Sequence, residues 1–285
     1  DWSSDVCSSD LNEETRQADN KPWALVTGAS AGIGTEFSRQ LAALGYQLVL
    51  VARRRDKLEA VAEELRNTYS ADSLVLTADL SLPGAGEDIA AQLKEKQIDI
   101  EFLVNNAGYG LPGSFHVPGW QAHADFIQVM MTAVCELTWR LLPAMQRRGK
   151  GYIMNIASVA GLVKPSAGHT LYGASKAFLV KFSEALALEN QPKGVKVCAL
   201  CPGFTYTEFH DVNGTRDMMN KLPGYLWMSA TDVVSDGIRE IMTDKPRTIV
   251  VPGKQYKVIV FLFRYMPWLA ELLNKKNAKN YRVTD

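Results

Sequence analysis

Tyr172 and Lys176 stand four residues apart in Tyr172-Gly173-Ala174-Ser175-Lys176, inside a stretch whose pattern predicts a helix, so both side chains project from one face. A phenol titrates at about 10 when unperturbed, too high for ready proton exchange at neutral pH, and a nearby ammonium favours the phenolate. The pair therefore has the make-up of a general acid/base and the cation that tunes it. Ser158 precedes Tyr172 by fourteen residues. Far ahead of all three, Thr27-Gly28-Ala29-Ser30-Ala31-Gly32-Ile33-Gly34 follows the apolar run Trp23 to Val26 and opens a segment with Phe37, Leu41 and Leu44 at helical spacing. That is a strand, a tight glycine turn and a helix N-terminus. Glycines there let the backbone approach a pyrophosphate, whose charge is stabilised by free N–H groups and the positive end of the helix dipole. The ligand implied is a dinucleotide.

The elements that must position these residues alternate along the chain. Strands are expected at Trp23–Thr27, Gln47–Ala52, Ser73–Thr77, Phe102–Asn105, Tyr152–Ile156, Val195–Cys201 and Thr248–Val251. Helices are expected at Gly34–Leu44, Asp56–Tyr69, Gly86–Lys96, Trp120–Arg148, Tyr172–Asn190 and Thr231–Met242. The strand segments are apolar and β-branched with little alternation, the mark of strands buried on both faces, which implies a parallel sheet covered by helices. At the end of the second strand, where a dinucleotide fold meets the adenosine ribose, the chain reads Val51-Ala52-Arg53-Arg54-Arg55. An acid there would accept from a 2′-hydroxyl and repel a 2′-phosphate, whereas guanidinium groups pair with phosphate. NADP(H) is favoured over NAD(H), with Arg53 first and Arg54 next as the contact; three arginines opening a solvated helix are the plainer alternative.

In order and spacing these motifs resemble those of the short-chain dehydrogenase/reductase family, from about Lys21 to about Gly253. The resemblance also takes in Asp79-Leu80 after the third strand, Asn105-Asn106-Ala107-Gly108 after the fourth, Ser158 after the fifth, and Pro202-Gly203-Phe204-Thr205-Tyr206-Thr207 after the sixth. It implies an α/β doubly wound parallel sheet, the Rossmann fold, with about seven strands and helices on both faces. It implies hydride transfer between nicotinamide and a carbonyl or secondary alcohol. Tyr172 would be the acid/base and Ser158 would hydrogen-bond the substrate oxygen, while Lys176 would lower the phenol's pKa and bind the nicotinamide ribose. Contacts to the cofactor would come from Gly28, Ser30, Gly32, Ile33, Gly34, Arg53, Arg54, Asp79, Leu80, Asn105, Ala107, Gly108, Tyr172, Lys176, Pro202, Gly203, Thr205 and Thr207. Asp79 would bind adenine, Leu80 would shape its pocket and Asn105 would sit by the adenine ribose; the alternative for Asn105 and for Asn106 is a structural hydrogen-bonding role between strands. One position departs from the family. Thirteen residues before Pro143, where the family has an asparagine supporting a local helix distortion that feeds protons to the lysine, this chain has Met130. Methionine fills the space without the amide's hydrogen bonds.

Composition bounds the rest. The chain has 285 residues, 47% of them apolar, which suits one α/β domain, taken as 21–253 between a polar tail (1–20) and an amphipathic C-terminal extension (254–285). Asp1 to Leu11 resemble the translation of a sequencing-adapter oligonucleotide and are excluded from fold reasoning; on that reading the natural start is missing. Thirty-one basic and thirty-one acidic residues cancel, so no global field recruits nucleic acid. Four cysteines are too few for a disulfide framework and fit a reducing, cytoplasmic setting; Cys198 and Cys201, three apart on a strand, point to opposite faces and are read as structural rather than as a metal or redox pair. No metal site is expected. No apolar run has the length of a membrane span. Between Pro202 and Ser229 the chain carries Phe204, Tyr206, Phe209, Met218, Met219, Leu222, Tyr225, Leu226 and Trp227, and with Leu111 and Phe115 these fit an apolar substrate pocket under a cover, or ordinary loop packing. His169 and His210 are read as solvated. In the extension, Val258, Ile259, Phe261, Leu262, Tyr265, Met266, Trp268, Leu269, Leu272 and Leu273 with five nearby basic residues fit docking on a partner subunit in a homo-oligomer, covering of the chain's own pocket, or peripheral contact with a membrane. Rival readings of function are a non-catalytic NADP-binding regulator on the same fold, motivated by Met130, and a membrane-peripheral lipid carbonyl reductase.

Overall fold

The computed structural model describes residues 21–111, 113–165, 168, 170–208, 223–266 and 268. The N-terminal tail, His169, Phe209, His210, Met218, Met219, Leu222 and the extension from 269 onward lie outside the described residues. Seven parallel strands form one sheet in the order β3-β2-β1-β4-β5-β6-β7: β1 (Trp23–Thr27), β2 (Gln47–Ala52), β3 (Ser73–Thr77), β4 (Ile100–Asn105), β5 (Gly151–Ile156), β6 (Val195–Leu200) and β7 (Ile249–Val250). Their register runs Leu25 beside Val49 and Leu103, then Leu103 beside Ile153. The order reverses between β1 and β4, and in such sheets the crevice beyond the strand ends at that point takes the ligand.

Alternate residues of each strand feed two apolar layers. Ala24, Val26, Leu48, Leu50, Phe102, Val104, Met154 and Leu200 pack against α1 (Gly32–Ala43), α2 (Arg55–Tyr69) and α7 (Ala230–Ile241), which contribute Phe37, Leu58 and Val233 among others. Leu25, Val49, Leu103, Ile153 and Val197 face the other way, toward α3 (Ala85–Glu95), α5 (Ala133–Arg148) and α6 (Thr170–Asn190), through Ile89, Leu137 and Leu186. Cys198 belongs to the first layer and Cys201 to the opposite face, and burial pushes both thiols up to about 12. The pair cannot meet, as their spacing on a strand requires.

Most element bounds lie within two residues of the sequence expectation, but one helix is divided and one strand is halved. The long helix expected over Trp120–Arg148 is divided: α4 (Trp120–Ile127) runs into a π-helical turn at Gln128–Thr132 before α5 begins. There the Ala133 N–H reaches back five residues to the Gln128 carbonyl, a pitch that apolar periodicity does not register. β7 is shorter than expected because it pairs only through Ala199 with Ile249 and Leu200 with Val250. Beyond it, α8 (Lys254–Tyr265) folds back on the domain. Among the described residues no helix is long and apolar enough to cross a membrane.

Candidate active site

The glycine turn leaves β1 and enters α1 with its backbone tightly folded. Gly28 has a φ of +67°, and a Cβ added at Gly34 would lie 2.2 Å from the Gly28 carbonyl oxygen, so any side chain at 34 would break the turn. Thr35 fixes the fold from inside by donating its hydroxyl to the Ala29 carbonyl at 2.8 Å. Ala31, at the cap of α1, supplies no side-chain oxygen, and no acidic residue stands in the first turn. The N–H groups of Gly32, Ile33 and Gly34 thus begin a helix with the anion-binding character of its dipole left for a ligand.

Around this turn stand most of the other expected cofactor residues. Thr207 abuts Gly32, where an added Cβ would lie 2.9 Å from the Thr207 Cβ. Arg54 extends over the turn, donating to Ser30 Oγ at 3.2 Å and to Glu208 Oε2 at 3.3 Å. Arg53 is exposed on the side of Asp79. Asp79 accepts from the Ser81 N–H at 3.0 Å and the Ser81 hydroxyl at 2.8 Å; burial pushes its carboxyl up, but these bonds and the Arg53 charge outweigh it and hold the group below the usual carboxylate range. Leu80 is buried beside it in the second apolar layer, with Ala107 at that layer's edge. Asn106 clasps β1, donating to the Thr27 and Gly28 carbonyls at 2.9 and 3.3 Å.

The Asn105 side chain points into the sheet. Its amide is buried and donates to Asn155 Oδ1 at 2.8 Å and Thr138 Oγ1 at 3.2 Å, and Asn155 in turn donates to Ser183 Oγ at 2.9 Å. The side chain expected near the adenine ribose instead ties β4 to β5, α5 and α6. The alternative, a structural tie between strands, describes it.

Beyond the end of β5, Ser158, Tyr172 and Lys176 converge. Ser158 caps a one-turn 3-10 helix, its Oγ accepting from the Ala160 N–H at 3.1 Å and donating to the Pro202 carbonyl at 3.4 Å. Tyr172 is hydrogen-bonded to Ser158 through the two hydroxyls and lies with its ring centroid 5.6 Å from Lys176 Nζ. Gly161 sets how closely this turn approaches α6, for a Cβ there would stand 2.5 Å from the Lys176 carbonyl carbon. Lys176 is 6% exposed and donates to the Ile156 carbonyl at 2.7 Å. Burial lowers its pKa to about 8. Burial also raises the Tyr172 phenol above its ordinary value, against the pull of the Ser158 hydrogen bond. The Ser158 hydrogen bond, not the Lys176 charge, is what opposes desolvation at the phenol, and desolvation prevails.

The segment after β6 is braced by a residue the sequence motifs missed. Tyr256, in the first turn of α8, presses its ring on Gly203, where a Cβ would fall 1.9 Å from Tyr256 Cζ. Its hydroxyl accepts from the Phe204 N–H at 2.9 Å and donates to the Leu226 carbonyl at 2.6 Å. Thr205, whose hydroxyl donates to the Gly203 carbonyl at 3.1 Å, bridges to Met228 across the segment's two ends, and Tyr206 stacks on Trp227 with centroids 4.7 Å apart. A tyrosine placed fifty residues downstream has no local signal announcing such a contact. On the other side, Phe115 is half exposed and tilts on His123 at 4.7 Å. Met130 is 1% exposed in the π turn, and its Sδ would meet a Cβ at Gly108 at 2.8 Å. The helix distortion attributed to the absent asparagine forms without it.

A family model described as short chain dehydrogenase matches residues 22–217. The chain belongs to the short-chain dehydrogenase family. It is 37% identical over 197 residues to a very-long-chain 3-oxoacyl-CoA reductase of Anas platyrhynchos, covering 67% of this chain and 62% of that protein's length. It is 32% identical to the inactive hydroxysteroid dehydrogenase-like protein 1 of Rattus norvegicus, over 90% of this chain and 77% of the relative. Among solved structures, a short-chain dehydrogenase from Sphingobium yanoikuyae in complex with NADPH superposes with a TM-score of 0.76 at 30% identity, covering 92% of this chain and 96% of that one.

Two outcomes follow from the site's burial. Because Lys176 loses its proton more readily folded (about 8) than unfolded (10.5), folding becomes more favourable as pH rises above about 8, and below it the full penalty of the buried ammonium applies. Lys176→Met should therefore show its largest stability gain relative to the parent below pH 8, shrinking by pH 9.5, in urea unfolding at a series of pH values; a difference independent of pH would refute the shift. Met130→Asn should lower stability by about 1–3 kcal/mol through burial of an unpartnered amide, with turnover and its pH profile unchanged because the π turn is already formed. A faster steady state with an altered pH profile would show that the amide's hydrogen bonds support the supply of protons to the site.

Proposed function

We propose that this dehydrogenase is an NADP(H)-dependent oxidoreductase that interconverts a carbonyl and a secondary alcohol on an apolar small molecule. The observation that carries the reading is the convergence of Ser158, Tyr172 and Lys176 beyond the end of β5, with their helix and 3-10 turn in backbone contact at Gly161. The cradle fits a dinucleotide: a turn too tight for any Cβ at 34 leads into a helix whose cap offers no side chain. Gly28, Gly32, Ile33 and Gly34 would hold its pyrophosphate, Asp79 and Leu80 its adenine, Arg53 the 2′-phosphate, and Lys176 with Pro202 and Gly203 the nicotinamide end. Arg53 is preferred to Arg54 because Arg54 is engaged by Glu208 and Ser30. When bound, NADPH supplies hydride to the carbonyl carbon.

The chain's own groups handle the oxygen. Ser158 and Tyr172 hydroxyls hold it, and Tyr172 gives it a proton as negative charge develops there. In the oxidising direction Tyr172 takes that proton back. Lys176, poised at about 8, exchanges protons readily near neutrality and its charge favours the phenolate left by the transfer. Phe204, Tyr206, Trp227 and Phe115 favour an apolar substrate. The free cysteines Cys135, Cys198 and Cys201 fit a reducing, cytoplasmic setting. A second reading, a cofactor-binding protein without turnover, is favoured by Met130 and by the name of the rat relative; the presence of Ser158, Tyr172 and Lys176 together speaks for catalysis.

Titration should give tighter binding of NADPH than NADH. Arg53→Ala should weaken NADPH by about tenfold or more while sparing NADH, since a charge-assisted hydrogen bond contributes about 1.5–3 kcal/mol. Equal affinities in the parent would sink the cofactor assignment. In an NADPH-oxidation screen across carbonyl classes, Tyr172→Phe should abolish turnover on any substrate the parent reduces and leave cofactor binding nearly intact. A parent with no turnover on any class and intact NADPH binding would favour the second reading.

A further inference from the structure

α8 meets the rest of the chain along one side. Tyr256 is buried and Ile259 packs against the first apolar layer. Along its other side Val258, Phe261 and Tyr265 form a stripe at i, i+3, i+4 spacing whose members are 58%, 56% and 64% exposed, and Trp268, past the end of the helix, is 63% exposed. Lys254, Lys257 and Arg264 are exposed on the same helix, and residues 254–268 contain no acidic residue.

That combination distinguishes between occupants. A second copy docked by two-fold symmetry would set the stripe against itself and bring the cations of both helices together with no carboxylate on either helix to pair them, the Glu240 carboxylate near Lys257 being already held by Arg247. An anionic lipid surface meets every feature at once. Val258 and Phe261 enter the acyl boundary, Tyr265 and Trp268 sit where aromatic rings with a polar edge prefer to lie, and the basic side chains snorkel to headgroups. We infer that the outer face of α8 docks the protein on an anionic lipid surface.

The docking has a bearing on substrate. The first turn of α8 is fastened through Tyr256 to the Phe204 N–H and the Leu226 carbonyl, with its ring on Gly203 just beyond β6. A surface held by α8 therefore adjoins the β6 end of the site, and an apolar carbonyl compound dissolved in the bilayer has a short path to it. That link rests on the proposed oxidoreductase reading; the docking itself does not.

The test is co-sedimentation of the full chain with phosphatidylcholine vesicles with and without phosphatidylserine. Each basic residue near an anionic surface contributes about fivefold in partitioning, so phosphatidylserine should tighten binding by about tenfold or more, and the doubly substituted Lys257→Glu/Arg264→Glu should lose that gain. Phe261→Ser and, separately, Val258→Ser should weaken binding to both kinds of vesicle, while NADPH binding and the thermal melt, read on the same samples, stay at parent values. Two exposed positions guard against a fold defect in one variant. Absence of vesicle binding, or binding indifferent to all of these substitutions, overturns the inference. So does a dimer in sedimentation equilibrium that Phe261→Ser dissociates, for the stripe would then be a contact between copies. None of these readouts depends on turnover, so they stand apart from any failure of the oxidoreductase reading.

Discussion

Where β1 and β4 part, each strand end loses a neighbour, and the polar groups at the opening must be satisfied without closing it. Thr27 and Asn106 do this. The Thr27 hydroxyl accepts from the N–H groups of Asn106 and Ala107, both at 3.0 Å, and donates to the Val104 carbonyl at 3.3 Å. The Asn106 amide spans back to the carbonyls that start the glycine turn. This clasp holds the crevice open at the switch point and sets the height of the turn above the sheet. The uncapped start of α1 follows directly from it.

The proton-transfer side is anchored by the same logic to the next strand. Lys176 is tied to the last carbonyl of β5, and Ser158 lies two residues beyond that carbonyl, so the sheet, rather than α6 alone, fixes the cation and the hydroxyl. Beneath them the chain of Asn105, Asn155 and Ser183 knits β4, β5 and α6 in the interior. Networks of this kind stiffen when satisfied, and the buried Asn105 Oδ1 is the atom of this one without a protein partner among the described residues.

Much of this was legible in the sequence because it depends on local chemistry. Glycines at fixed offsets announce the turn, four-residue spacing puts Tyr172 and Lys176 on one face, and unbroken apolar runs mark strands buried on both sides; β1, β2 and β3 fall where those runs begin and end. What stayed hidden depends on distant partners. Asn105 looks equally ready for a ligand or a neighbouring strand until Asn155 and Thr138 are seen beside it. Tyr256 reads as one more aromatic in an amphipathic tail until Gly203 is found beneath its ring. The π turn adds one residue of pitch without altering which residues are apolar, so Met130 signals a missing amide but not the retained distortion. The opposed directions of burial and the Ser158 hydrogen bond at Tyr172 likewise follow from three-dimensional packing rather than from spacing.

Gly161 carries a consequence of a different kind. The turn holding Ser158 and the helix holding Tyr172 and Lys176 touch main chain to main chain there, with no room for a methyl group between them. The separation of the reacting groups is thus gauged by the thickness of two backbones, a length that side-chain replacement elsewhere does not change. Phe115 after β4 and Phe204 and Tyr206 after β6 lie outside this gauge. Changes of size and polarity at those positions leave the main-chain spacing between Ser158 and Lys176 as it is.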